Sequence, residues 1–290
     1  MSLTLKTALK LGRVSNVPTV WTNVAAGLAL SGAPFSFTLF ALLSFAMSAQ
    51  YIGGMYLNDA FDARWDREHR PDRPIVTGQV SARTVFTIGF ALLGAGVLVV
   101  AAAAALHMLP WLAALAALAL AGLIVYYDLH HKANPFGPVV MGLCRVGVYM
   151  VAGFATGHPT TELYVGAALL LGHLIGLTYI AKHETRGRVY RLWPLAFFIP
   201  SLLWGAFLPP PWLLAGALYF AYTLRAGIAP ALGWGAKGKP NPSKAVPALI
   251  AAISLLDAMF VSDTRNYAAV GACFAAFALT RFWQRHVPGT

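Results

Sequence analysis

Residues 37–66 read FTLFALLSFAMSAQYIGGMYLNDAFDARWD, an apolar run that ends in a cluster of acidic side chains. A helix needs about 20 apolar residues to cross the hydrocarbon core of a bilayer, and residues 36–58 meet that length. Because a segment in lipid must satisfy its own backbone hydrogen bonds, a helix is favoured over a strand. The stretch therefore predicts a membrane-spanning helix that presents carboxylates at the membrane surface.

The same apolar character recurs along the chain. Of its 290 residues, 58% are hydrophobic and 11% are charged, which is too little charge to cover the surface of a soluble domain. The expected fold is an all-α polytopic transmembrane helix bundle of nine to ten spans, with residues 1–290 forming one domain. The predicted spans lie at about residues 15–32, 36–58, 82–106, 109–127, 136–157, 162–182, 192–208, 211–230, 245–262 and 266–283.

The positive charges follow a pattern that reports orientation in the membrane. All 21 lysines and arginines except Arg265 fall on one side of the predicted bundle, and the net charge is +11. This positive-inside arrangement predicts an integral protein of the cell inner membrane whose termini and longer loops are cytoplasmic. The expected partner of the basic residues is the lipid bilayer, and nucleic acid is excluded.

The strongest chemical signal is a set of oxygen-bearing side chains after the second predicted span: Asn58, Asp59, Asp62 and Asp66. If the helix continues past the membrane, spacings of three and four residues bring these groups to one face. Like charges there repel unless a cation lies between them, and Mg²⁺ prefers carboxylate and amide oxygens. The set is a candidate Mg²⁺ site. The alternative is a solvated cap whose acids pair with neighbouring arginines.

The following loop adds two arginines in the stretch RPDRPIVTG, residues 70–78. Arg70 and Arg73 could each bind a diphosphate through paired hydrogen bonds. They could instead be ordinary positive-inside residues.

Together these motifs resemble the UbiA superfamily of membrane prenyltransferases. The pattern NDxxDxxxD at Asn58–Asp66, followed by RPIxxG at residues 73–78, is similar to that family's first motif, and Arg13 and Pro18 match its usual beginning. The resemblance implies transfer of a polyprenyl group from a Mg²⁺-bound polyprenyl diphosphate to a hydrophobic or aromatic acceptor. It implies catalytic roles for Asp59, Asp62, Arg73 and Lys132, and substrate binding by Asn58, Asp66, Arg70 and Tyr127.

The second motif departs from the family pattern. Family members usually carry DxxxD after the sixth helix, whereas residues 182–187 here read KHETRG. Lys182 and Arg186 stand where acids are expected and Glu184 remains acidic, so these three are predicted to meet the substrate with one Mg²⁺ fewer. The alternative is a catalytically altered UbiA-like protein that acts in transport or export of a lipid or small molecule.

Three further residues carry expectations from their position. Asp128 could hold a second metal or orient Lys132, while the adjacent His130 and His131 are predicted to be plain interfacial residues. Arg145 lies two to three turns into the fifth predicted helix, so it must face protein or a watery cavity and could reach a buried acid or the phosphate. Asp257 is an intramembrane acid and a functional candidate without an assigned role.

Overall fold

The computed structural model describes residues 3–132, 134–184, 187–189, 191–208, 213–234, 238–262, 266–287 and 289, and in these ranges the chain forms helices and no strands. The α-helices are α1 Leu5–Leu11, α2 Pro18–Leu30, α3 Phe37–His69, α4 Ala82–Ala105, α5 Trp111–His130, α6 Gly137–Phe154, α7 Thr161–Lys182, α8 Ile199–Ala206, α9 Leu213–Tyr222, α10 Ala229–Leu232, α11 Pro242–Ser262 and α12 Tyr267–Trp283. The predicted all-α class is confirmed.

Six of these helices, within the described ranges, are long and apolar enough to cross a membrane: α3, α4, α5, α6, α7 and α11. The predicted span at 15–32 is instead a 3-10 turn, Val14–Asn16, followed by α2, which is 13 residues long. The predicted spans at 192–208 and 211–230 are each divided among shorter elements. The count of nine to ten spans therefore stays a prediction.

Proline accounts for the divided segments. Residues 193–206 begin as a 3-10 helix, Trp193–Phe198, before α8, with prolines at the starts of both pieces. Between α9 and α10 the chain widens into a π-helix, Thr223–Ile228, just before Pro230. A proline has no backbone N–H to donate to the preceding turn, which favours a change of pitch or a new start of the helix nearby. A hydropathy pattern gives no sign of such a change in helical pitch.

Two apolar cores share α2 and α6. One core fills the space among α2 to α6, and the other packs α6 and α7 against α9, α11 and α12. Helix α11 is the most enclosed element, since every residue from Ala251 to Ser262 is buried. This burial places Asp257 deep among helices rather than in lipid.

Helix α3 decides where the acidic cluster stands. Its 33 residues make a rod of about 50 Å, which is longer than a hydrocarbon core is thick. The helix ends at His69, and its C-cap Arg70 precedes Pro71, where a helical conformation is disfavoured. Arg67 and His69 lie in the last turn, where positive charge interacts favourably with the helix dipole. The acidic residues therefore stand on a continuous helix beyond the predicted span.

Near its middle, α3 packs closely against α4 at a glycine. A Cβ added to Gly53 would lie 2.7 Å from the carbonyl oxygen of Gly89 and 2.9 Å from the amide nitrogen of Leu93. Both neighbours are backbone atoms, so they cannot move aside as a flexible side chain could.

We expect Gly53→Ala to destabilise the protein by about 1–3 kcal/mol, because the added methyl group forces α3 and α4 apart. Thermal unfolding in detergent micelles measures the change. Gly94→Ala is the matched control on α4: a Cβ there meets nothing within 4 Å, so this variant should be neutral or slightly stabilised. Equal melting temperatures for the two variants would contradict the close packing.

Candidate active site

The end of α3 carries the four predicted site residues. Asn58, Asp59 and Asp66 are buried, and the side chain of Asp62 is 13% exposed. No group of three His, Cys, Asp or Glu side chains in the described ranges converges as metal ligands would. Asp59 and Asp62 instead pair with cations from other segments. Metal binding by the four residues stays a prediction.

Asp59 lies between two arginines. Arg13 Nη2 donates to Asp59 Oδ1 at 3.0 Å and lies 3.4 Å from the side-chain oxygen of Asn58. Arg73 Nη1 lies 3.6 Å from the same oxygen of Asp59. Both guanidinium groups are largely buried, with 14% and 10% of their side chains exposed. One carboxylate therefore serves two buried positive charges.

Arg13 reaches this position through a tight turn that sequence reasoning did not predict. Its backbone is left-handed, with φ 43°, and it precedes the 3-10 turn Val14–Asn16. The match of Arg13 to the family's usual beginning was the available signal, but it carried no information about contacts. The structure places this residue beside Asp59 and Met55.

The RPIxxG turn places Arg73. The Arg73 carbonyl accepts the backbone N–H of Thr77 at 2.9 Å, and Gly78 adopts φ 75°, a left-handed conformation that favours glycine. Burial lowers the pKa of the Arg73 guanidinium, and the charge of Arg13 lowers it further, whereas Asp59 raises it. Burial is the main cause of this lowering. An anion beside Arg73 would stabilise the charged guanidinium and oppose this lowering.

A second charged group surrounds Asp62. Lys132 Nζ lies 2.8 Å from Asp62 Oδ2, and His131 Nε2 lies 3.5 Å from the same oxygen. The ammonium also stands 3.6 Å from the centre of the Trp65 ring, within range of a cation–π interaction. Lys132 is thus held by Asp62 and Trp65. His131, predicted to be a plain interfacial residue, contacts the acidic cluster.

Asp128 makes a different contact from those considered in the sequence. Its Oδ1 accepts from the Asn58 amide at 3.0 Å, while its Oδ2 is buried with no hydrogen-bond partner in the described part of the chain. The carboxylate of Asp66, also buried, forms no hydrogen bond or ion pair with any described residue. Two carboxylates with unused oxygens fit a hard cation such as Mg²⁺, which takes one or two carboxylates and completes its shell with water and phosphate.

The second motif lies at the same end of the bundle as the end of α3, and we call this end the mouth. Glu184 Oε2 stands 4.0 Å from Arg70 Nη2, so the two loops approach each other there. Lys182 Nζ donates to the backbone carbonyl of Asn134 at 2.9 Å. Arg186 lies outside the described residues.

Of the two remaining predicted substrate residues, Tyr127 lies beside the charged cluster and Arg145 makes its contacts elsewhere. The Tyr127 ring stacks on His131 with ring centres 4.9 Å apart, on the same helix as Asp128. Arg145 lies deeper, where its Nη1 donates to the side-chain oxygen of Asn23 at 3.0 Å. Its part in substrate binding remains a prediction.

Comparison with known proteins identifies the family. The model of the UbiA prenyltransferase family matches residues 19–289. The chain belongs to this family. The resemblance seen in the first motif is thereby confirmed, and the UbiA match continues through α12.

Individual relatives agree with the UbiA assignment. Digeranylgeranylglyceryl phosphate synthase of Natronomonas pharaonis is 36% identical over 131 residues, covering 44% of this chain and 40% of that protein. The synthase of the same name from Methanopyrus kandleri is 30% identical over 176 residues, covering 59% of this chain and 61% of that protein. The matched stretches thus span less than two thirds of either relative.

A solved UbiA homolog from Archaeoglobus fulgidus, bound to DMAPP and Mg²⁺, superposes with a TM-score of 0.65 at 16% identity, covering 91% of this chain and 99% of that one. At this identity the likeness shows a shared UbiA fold.

We expect Asp59→Asn to destabilise the protein by about 3 kcal/mol, because it leaves two buried guanidinium groups without their shared counter-charge. Denaturant unfolding in mixed micelles measures the loss. Asp72→Asn is the matched control, since the Asp72 side chain is 79% exposed and lies 3.8 Å from Lys10; its removal should cost less than about 0.5 kcal/mol. Similar losses in both variants would contradict the buried charge cluster.

Proposed function

We propose that this protein is a membrane prenyltransferase that moves a polyprenyl group from a Mg²⁺-bound polyprenyl diphosphate to a hydrophobic or aromatic acceptor. The observation that carries the proposal is the charge arrangement at the end of α3, where Arg13 and Arg73 pair with Asp59 and Lys132 pairs with Asp62. Nearby on α5, Asp128 keeps a buried oxygen without a partner in the described part of the chain. Cations held in place beside carboxylates that keep unpaired oxygens suit a diphosphate that arrives with its metal.

Asp66 and Asp128 have oxygens free to hold Mg²⁺, with Asn58, Asp59 and Asp62 beside them. Bound Mg²⁺ would offset the negative charge of the departing diphosphate. The chain's own cations act on the same charge: Arg13 and Arg73 from one side of Asp59, and Lys132 from the side of Asp62. Because burial and the ion pairs fix these groups in advance, little reorganisation is needed as the bond breaks.

In the proposed reaction, the bond between the first prenyl carbon and the diphosphate oxygen breaks, and the oxygen keeps the electron pair. A nucleophilic carbon or hydroxyl oxygen of the acceptor forms the new bond to that prenyl carbon and then releases a proton. Pyrophosphate leaves at the mouth, and the hydrophobic tail stays in lipid. The names of the two curated relatives suggest a prenylated glyceryl phosphate as one acceptor to test.

The altered second motif bears on how the diphosphate is held. Lys182 is engaged by the Asn134 carbonyl, so in our proposal it ties two loops together and meets the substrate at the edge of the site. Glu184 and Arg70 would close the mouth above the diphosphate, since their side chains already lie 4.0 Å apart. This arrangement leaves the first motif as the main metal site.

The double variant Asp59→Asn with Asp62→Asn should lower kcat/KM for prenyl transfer by about a thousandfold or more, because both charged groups at the site lose their anchors. Purified protein is given Mg²⁺, geranylgeranyl diphosphate and a panel of acceptors, and pyrophosphate and prenylated product are measured.

Glu68→Gln, which changes an exposed acid on the same helix, is the control and should leave transfer unchanged. Transfer that survives the double substitution would refute the site. Lipid export by the wild-type protein, with no transfer to any acceptor, would favour the transport alternative.

We also propose that the chain lies in the cell inner membrane with its termini and the site loops in the cytoplasm, as the distribution of basic residues indicates. Single cysteines introduced at Glu68 and His158, after replacement of Cys144 and Cys273, test this orientation. A membrane-impermeant maleimide added to intact spheroplasts should label position 158 and spare position 68. Labelling of position 68 and not of position 158 would contradict the proposed topology.

A further inference from the structure

A chain of polar side chains crosses the bundle below the charged mouth. Asp257 on α11 is fully buried, and it accepts hydrogen bonds from the side chains of Asn23 at 2.9 Å and Tyr149. Asn23 is also fully buried, and its side-chain oxygen accepts from Arg145 Nη1 at 3.0 Å. Charged groups at such depth are costly, so they mark functional positions.

The side-chain amide of Asn23 can face its neighbours in one orientation only. Its oxygen faces the Arg145 guanidinium, which only donates, and its NH₂ faces the Asp257 carboxylate, which accepts. A flipped amide would set donor against donor and acceptor against acceptor. Asp257 thus fixes Asn23, and Asn23 fixes Arg145.

Most of the Arg145 guanidinium remains available. Its one hydrogen bond to a described residue is that to Asn23, and it forms no ion pair in the described part of the chain. A guanidinium carries five N–H donors. None of the remaining nitrogens is enclosed without a partner, and the residue is only half-buried. These nitrogens are therefore not closed off by the surrounding side chains, and they can donate to a ligand.

Arg145 lies beside the helix that carries the proposed diphosphate site. The Arg145 guanidinium stands 5.0 Å from the centre of the Tyr51 ring. Tyr51, Met55 and Asn58 follow at spacings of four and three residues on one face of α3, and Arg13 contacts both Met55 and Asn58. Seven residues of helix make about 10 Å. A small molecule can bridge that distance.

We propose that Arg145 binds the anionic group of the prenyl acceptor, and that Asn23 and Asp257 are positioning residues that hold the guanidinium toward it. This proposal rests on the proposed function and specifies its acceptor as a small nucleophile that also carries a carboxylate or a phosphate. With the anion on Arg145, the nucleophilic atom would point toward the mouth, where the prenyl carbon separates from its diphosphate.

Equilibrium binding without a prenyl donor tests the proposal separately from the reaction. The probes are two matched pairs: a prenylated glyceryl phosphate with its dephosphorylated alcohol, and 4-hydroxybenzoate with 4-hydroxybenzyl alcohol. The wild-type protein should bind at least one anionic probe more tightly than its neutral partner, and the pair that does so identifies phosphate or carboxylate. Equal binding within both pairs overturns the proposal.

Arg145→Gln should weaken binding of the preferred anionic probe by about 30-fold and leave its neutral partner within twofold, because a charge-assisted hydrogen bond is lost. Arg145→Lys retains the charge without the planar guanidinium, and its affinity for the anionic probe should lie between those of the wild type and Arg145→Gln. The lysine variant also tests the proposal if Arg145→Gln does not fold. An anionic preference that survives in Arg145→Gln overturns the proposal.

Asp257→Asn should weaken binding of the anionic probe by about fivefold in the wild-type background and have no effect on it when combined with Arg145→Gln. A merely structural role would give equal losses in both backgrounds and for both members of a pair, and that result overturns the positioning role. Ser201→Ala, at a fully buried hydroxyl that contacts Tyr219 in the other half of the bundle, is the control and should change neither probe.

Prenyl transfer is measured on the same samples. The wild type could prefer the anionic probe, and Arg145→Gln could lose that preference, while no prenyl transfer is detected. That result would refute the proposed function and support the anion site. Transfer in the wild type without any anionic preference would do the reverse.

Discussion

The site depends on the neutralisation of one acidic helix end by cations from elsewhere in the chain. Carboxylates spaced three and four residues apart on α3 repel one another, and their burial raises the cost of each charge. Arg13 from the turn before α2, Arg73 from the loop after α3 and Lys132 from the end of α5 bring opposite charge to within 2.8 to 3.6 Å. These ion pairs also join four segments at the mouth, so the same contacts that permit burial also assemble the site.

The charges at the mouth do not balance locally, and that imbalance has chemical meaning. Two guanidinium groups share Asp59, while Asp66 and one oxygen of Asp128 have no partner among the described residues. A site that combines two cations on one shared carboxylate with carboxylate oxygens that lack a partner is complementary to a ligand that carries both signs. A diphosphate with its magnesium ion is such a ligand. The UbiA family membership and the chemistry of the donor set therefore support the same class of substrate.

The interior of the bundle adds a second layer of organisation. Helix α11 is enclosed in the core that it forms with α6, α7, α9 and α12, and it carries Asp257 to a point between α2 and α6. Its partners there are hydrogen-bond donors, and the nearest cation acts through Asn23. An acid placed this way sets the orientation of its neighbours without reaching the mouth. The charged mouth and the polar interior are linked through α3, whose one face carries Tyr51, Met55 and Asn58.

Much of the architecture was determined by local sequence features. Apolar runs of sufficient length specify helices in lipid wherever they occur, so the all-α class could be predicted from composition and hydropathy. The spacing within residues 58–66 and the RPIxxG turn depend on neighbouring residues alone, which is why the first motif and the UbiA resemblance were readable. The broken segments around Pro194 and Pro230 were missed because hydropathy carries no information about backbone pitch.

Only the tertiary structure decided which charges meet. Arg13 and Asp59 are separated by 46 residues, and Asn23 and Asp257 by 234; no local rule links positions so far apart. The sequence marked Lys182 as a possible phosphate ligand, yet packing turns it toward the Asn134 carbonyl. It left Asp257 without a role, because an intramembrane acid acquires meaning only from the donors that other helices bring to it. Side-chain chemistry is local, whereas the pairing of buried charges depends on how distant helices pack.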